Sequence, residues 1–235
     1  MNPIPVIRRR VSAIAILALT ALLLVALADN RPANAGDTPT APANAHELIE
    51  LPAPMNDQQV AFHDQMRKLW EDHVTWTRLA IVTFADGSAG FDATATRLLQ
   101  NQVDIGDAIK PYFGDAAGAH LTSLLHDHIT IAVEILQAAK AGDTNAFNDA
   151  KARWYANAND IADFLAAANP RFWSQSVLRE AMTTHLDQTL TEAAHELGGD
   201  YAASVTDYEA VHLHILAMAD LLSTGIIRLF PGQFH

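Results

Sequence analysis

The sequence predicts an all-α protein, a six-helix antiparallel bundle built from three repeated helical hairpins. Three observations carry this reading. Beyond residue 55, apolar residues recur at three- and four-residue spacing, and strand-like alternation is nearly absent. Glycine, proline and capping residues interrupt the pattern at short intervals, so sequential helices should lie antiparallel. One histidine and one asparagine-rich segment recur in step along the chain.

The helices are expected at about 57–85, 91–109, 115–140, 144–167, 174–197 and 200–229. Gly87 and Gly90 separate the first two. Pro111 and Gly114 separate the second from the third. Gly142-Asp143-Thr144 supplies a C-terminal glycine and an N-cap, and Asn169-Pro170 stops the fourth helix. Ser174 can cap the fifth. Gly198-Gly199-Asp200 turns it into the sixth, and Pro231 closes the domain.

The N-terminus is read separately. Arg8, Arg9 and Arg10 precede an apolar run from Val11 to about Ala28, and Ala33-Asn34-Ala35 offers small residues for cleavage. Residues 1–35 therefore read as a secretory signal peptide, with a retained anchor as the alternative. Residues 36–55 carry Pro39, Pro42, Pro52 and Pro54 and read as a linker; residues 56–235 form the bundle domain. The expected location is outside the cytoplasm: periplasm, cell envelope or exterior. Without residues 1–35 the chain keeps 11 basic and 26 acidic residues, a net charge of −15. Such a surface repels nucleic acid and anionic membranes and is compatible with cations. There is no cysteine, which excludes disulfides, thiolate metal sites and cysteine catalysis.

The repeat places chemistry. Asp72-His73-Val74-Thr75 recurs as Asp127-His128-Ile129-Thr130 and, more loosely, as Thr184-His185-Leu186-Asp187; the histidines are 55 and 57 residues apart. Asn101 through Asp107 recurs 56 residues later as Asn157 through Asp163. A step of 29 from His185 lands on His214, just after His212. Each histidine shares its stripe with apolar residues, so each hairpin aims one imidazole and one Asn/Asp pair inward. Buried polar groups need partners, and two explanations compete. One is a hydrogen-bond network, His to Asp and Asn to backbone, that fixes helix register in a structural or interaction module. The other is a copper, zinc or iron site with His73, His128 and His185 as ligands, and Asp104, Asp160 and His212 as ligands or supporting partners. An enzyme of unknown reaction is the third possibility.

Other patterns carry less. Glu192–His195 and Glu209–His212 have di-iron spacing but lie on sequential helices without the further glutamates such a centre needs. His46, His63, His120, His126 and His235 fit no pattern and read as surface residues. Trp70, Trp76, Trp154 and Trp173 sit at core spacing. No phosphate loop, dinucleotide unit or nucleophile elbow is present.

Several segments together resemble an uncharacterised bacterial family of exported helical-bundle proteins. They are Leu69-Trp70-x-x-His73-Val74-x-Trp76-Thr77-Arg78, Arg97-Leu98-Leu99 through Asp104, Trp154-Tyr155-x-Asn157-Ala158, Ile161-Ala162-x-Phe164-Leu165, Asn169-Pro170, His185-Leu186-x-x-Thr189-x-x-Glu192-Ala193, and Met218-Ala219-Asp220 with Gly225-Ile226. The resemblance spans residues 65–234. It implies a helical fold and no established activity. Glycosyltransferase and acetylglutamate kinase labels attached to such chains need a nucleotide-binding α/β unit, which this sequence lacks. His73, Asn157, His185 and Glu192 match the family's motif positions; His195 and His214 do not.

Overall fold

The computed structural model describes residues 54–235. The signal-peptide reading, and all but the last two residues of the linker reading, fall outside them. Six helices follow in order: α1 Asp57–Ala85, α2 Phe91–Phe113, α3 Asp115–Ala141, α4 Thr144–Ala168, α5 Gln175–Gly198 and α6 Tyr201–Leu229. A single 3-10 turn, Pro231–Gln233, ends the fold, and no strand occurs among the described residues. Local chemistry sets several ends. Asn56 and Gln59 exchange side-chain and backbone hydrogen bonds in a capping box at the start of α1. Gly142 adopts the left-handed conformation that closes α3, and Asp143 then accepts from the amides of Asn145 and Ala146 to open α4.

Two local expectations need correction. Pro111 does not break the chain; it lies inside the last turn of α2, which runs on to Phe113. Only a carbonyl one turn back loses its partner there, and at a helix end that loss is small. Ser174 makes no capping hydrogen bond to α5; its hydroxyl lies 3.0 Å from that of Ser176.

Each helix packs on the next, and α6 returns to α1, so the six close into a ring. Directions follow from contacts at the ends. Lys140, late in α3, donates to the carbonyls of Phe84 and Ala85 at the end of α1. Arg78, in the second half of α1, meets Glu192 and Glu196 in the second half of α5. Thus α1, α3 and α5 run one way and α2, α4 and α6 the other. α1 also reaches α3 and α5 directly, which puts the odd-numbered helices on the inside.

Glycine permits two close approaches. A Cβ on Gly106 would lie 2.7 Å from the Gly118 carbonyl, and one on Gly118 would lie 2.6 Å from the Gly106 carbonyl, so α2 and α3 meet backbone to backbone. At the other end, buried Trp173 brings its indole nitrogen close against Gly225 of α6. Its indole N–H donates to the Leu221 carbonyl at 3.3 Å, and Asn169 Nδ2 donates to the Gly225 carbonyl at 3.0 Å. These contacts lock the α4–α5 connection onto α6. α6 itself is long and apolar enough to cross a membrane by length and composition, yet Val211, Ile215, Met218, Leu222 and Ile226 face the bundle core.

A Cβ on Gly225 would overlap the Trp173 ring. Gly225→Ala should therefore destabilise the fold by about 1–3 kcal/mol, the usual cost of overpacking. Gly232→Ala, which meets open space, should leave the thermal midpoint nearly unchanged. Thermal unfolding of both variants checks this; equal midpoints would contradict the close approach.

Candidate functional site

The interior is organised around three histidines. His73 on α1, His128 on α3 and His185 on α5 are all buried. Because the three helices run parallel, their rings come to one level. The His73 and His185 ring centroids are 5.6 Å apart, and those of His128 and His185 are 6.5 Å apart. Trp70 stands edge-on to His73 and Trp154 stacks on His128, whose own carbonyl accepts the Trp154 N–H at 3.0 Å.

The even-numbered helices supply the partners, and they do so at matching positions. Asn101 Nδ2 donates to the Leu69 carbonyl at 3.0 Å, and Asn157 Nδ2 to the Leu124 carbonyl at 3.0 Å. His214 Nε2 lies 2.8 Å from the Ala181 carbonyl, which can only accept. In each case the acceptor is the residue one turn before the buried histidine. The counterpart of Asn101 and Asn157 in the third hairpin is therefore His214.

These bonds fix ring orientations. With its Nδ2 spent on Leu124, Asn157 turns Oδ1 toward His128, so His128 Nδ1 donates at 2.8 Å. The neutral His128 ring then keeps its lone pair on Nε2. Gln102 Nε2 donates to the Leu98 carbonyl at 2.7 Å and lies 3.3 Å from His73 Nδ1, which accepts. His185 Nδ1 is buried with no hydrogen-bond partner among the described residues.

All three imidazoles are held neutral. Burial pushes His73 down to about 3, helped by His128 nearby and opposed by the Gln102 hydrogen bond. Burial pushes His128 down to about 4, opposed by the bond to Asn157. His185 is lowered well below its ordinary value by burial first and then by His73, His128 and His214. Groups this reluctant to take a proton are poor general bases near pH 7. As neutral rings they can donate lone pairs to a metal ion or hydrogen-bond a small ligand.

The rings line a cavity of about 50 Å³ whose other walls are apolar or threonine side chains, among them Ile81, Leu98, Ile129, Ala132, Leu136 and Leu190. Three further residues of the sequence-predicted set stand elsewhere. Asp104 lies on the outer side of α2, where it pairs with Arg97 at 3.3 Å and Gln100 at 3.1 Å. Asp160 is exposed on α4. His212 stacks on Tyr208 and sits 3.0 Å from Glu71 near the surface. The physical reason is helical phase. A step of three residues turns the side chain about 60° from its starting stripe, and a step of two turns it to nearly the opposite face. Asp104 and Asp160 rotate away from Asn101 and Asn157, as His212 does from His214. The expected His-to-Asp bonds are instead His128 to Asn157 and His73 to Gln102, while asparagine does bond to backbone.

A second buried polar cluster has no counterpart in the sequence reading. Arg78 on α1 contacts Glu192 and Glu196 on α5, each at 3.1 Å, and also Ser204 on α6; Ser204 in turn donates to Glu196 at 2.6 Å. Burial raises Glu192 to about 7, against the pull of Arg78. His195 pairs with Asp207 at 2.6 Å, so Glu192 and His195 do not act as a ligand pair. Among the other histidines, His63 contacts Asp220 at 2.9 Å, while His120 and His126 are exposed.

Among the described residues, no group of three or more His, Asp or Glu side chains stands in an arrangement that would hold a metal ion as it is. No family model, curated protein or solved structure matches the chain.

The neutral histidines set the acid response. Their folded values lie below the unfolded 6.5, so their stabilising contribution is complete above 6.5 and lost as pH falls. Glu192 acts oppositely: its folded value of about 7 exceeds the ordinary 4.5, so its contribution grows as pH falls between those limits. Three groups outweigh one. Stability should therefore drop steeply below about pH 6, as about two net protons bind on unfolding. Urea unfolding from pH 7.5 to 5 measures this, and His185→Leu should make the dependence shallower by one proton. A pH-independent midpoint would contradict the neutral-imidazole core.

Proposed function

We propose that the bundle is an exported transition-metal-binding protein that takes one ion between His73, His128 and His185. The observation that carries this reading is three imidazoles around one cavity with His185 Nδ1 left without a partner. Leaving that atom bare costs about 1–3 kcal/mol, which a bound ion would recover. His128 supports the reading further, since Asn157 holds it in the tautomer that offers Nε2. A first shell closes only after the rings move together. Imidazoles sharing a tetrahedral ion through one ring nitrogen each, Nδ1 in the case of His185, have centroids about 5 Å apart, against 5.6 and 6.5 Å here. His73 must also exchange its Nε2 proton for one on Nδ1. The Gln102 Oε1, which lacks a partner, is the acceptor that a turn of the carboxamide brings to it.

The donor set selects the ion. Imidazole alone suits copper or zinc; with no carboxylate on the cavity wall, iron fits less well. Nothing in the wall compensates a second positive charge, which favours copper(I). The three-hairpin repeat belongs to this reading: each hairpin supplies one ligand from its first helix and one brace from its second. The competing interaction-module reading is favoured by one observation, that Gln102 and Asn157 tie two of the rings across helices.

Copper or zinc at a hundredfold excess over Kd should stabilise the fold by about 2.7 kcal/mol, read as a higher Tm. His128→Ala should abolish the rise, and Asp104→Asn should preserve it. Because the rings are already neutral, affinity should hold down to about pH 5 rather than fall below 6.5 as at an ordinary histidine site. No shift with either ion, or the same shift in His128→Ala, would leave the interaction-module reading standing.

A further inference from the structure

Next to the imidazoles the interior is deliberately thin in side-chain volume. One turn after each histidine stands a small residue: Thr77 after His73, Ala132 after His128 and Thr189 after His185, all on the cavity wall. Both threonines spend their hydroxyls on the preceding turn, Thr77 on the His73 carbonyl and Thr189 on the His185 carbonyl, each at 2.8 Å. Their polar groups are thereby satisfied locally, which leaves the methyls as the apolar part available to the cavity. One turn further, Ala80 and Ala193 keep the wall small on α1 and α5.

The hydrophobic core divides at this level. Ala80, Leu98 and Ile129 form one small cluster, and Ile81, Leu136 and Ala193 form another, both separate from the main core. The cavity is bounded by members of both, with the three rings at one end. His185, which carries a buried ring nitrogen without a partner, is one of the residues on its wall.

We infer that this cavity is a binding chamber for a small uncharged apolar molecule of about the size of dioxygen, seated against the imidazole rings. Size sets the class. A cavity of about 50 Å³ is roughly a third of one that admits benzene, and spans only a few water-sized units. Chemistry sets it too: beyond the rings, the methyl and aliphatic walls offer no partner to a strongly polar ligand. The inference does not require the metal, though a bound ion would present an open position to the same space.

Xenon is the probe, applied to the full chain freed of metal by a chelator and followed by xenon-129 magnetic resonance. Saturable binding at one site is expected. Ala132→Leu, which fills the space, should lower xenon affinity at least tenfold, while the exposed Ala152→Leu should not change it. If Ala132→Leu does not fold, Ala193→Val fills the same chamber from α5. Absence of saturable xenon binding, or equal affinity in the filled variant, overturns the inference. Either result is independent of whether copper or zinc raises Tm, so the chamber and the metal centre fail separately.

Discussion

The structure depends on keeping three imidazoles neutral in an apolar interior. Water solvates a histidine in either charge state, whereas the centre of this ring of helices solvates only the uncharged form. His73, His128 and His185 are therefore tolerable there only as neutral rings, and each then brings one donor and one acceptor that must be placed. The even-numbered helices answer for two of the rings through Gln102 and Asn157. The third retains a nitrogen without a partner, as do four other buried side-chain atoms among the described residues, Gln102 Oε1 among them.

The remaining architecture serves that placement. Parallel α1, α3 and α5 bring equivalent positions to one height, and the side-chain bonds from Asn101, Asn157 and His214 pin each odd-numbered helix one turn before its histidine. The Gly106–Gly118 contact draws α2 and α3 together, and Trp173 against Gly225 fixes the opposite end. Arg78 joins α1, α5 and α6 with two carboxylates around one guanidinium. Removing Arg78 would strand buried carboxylates, so its role is to hold the ring closed beside the histidine level.

Much of this was legible in the residues. Apolar periodicity and turn chemistry give the six helices, because both are local properties that survive into the fold. The recurrence of His73, His128 and His185 points to a shared level, because equivalent positions on parallel helices align. Rotational phase was less legible. Asp104 and Asp160 follow Asn101 and Asn157 by one turn, yet the remaining angular offset carries them to the outside. His212 and His214 could not be ranked by spacing alone; the bond to Ala181 selects His214. Gln102 and the Arg78 cluster depend on which helices meet across the ring, and no local pattern encodes that.

Nitrogen-15 chemical shifts of the histidine side chains, followed from pH 8 to 5.5, test the central claim most directly. His73, His128 and His185 should remain neutral across the range, with His128 protonated on Nδ1. Titration of His73, His128 and His185 near 6.5, or His128 carrying its proton on Nε2, would contradict an interior built around a neutral imidazole trio.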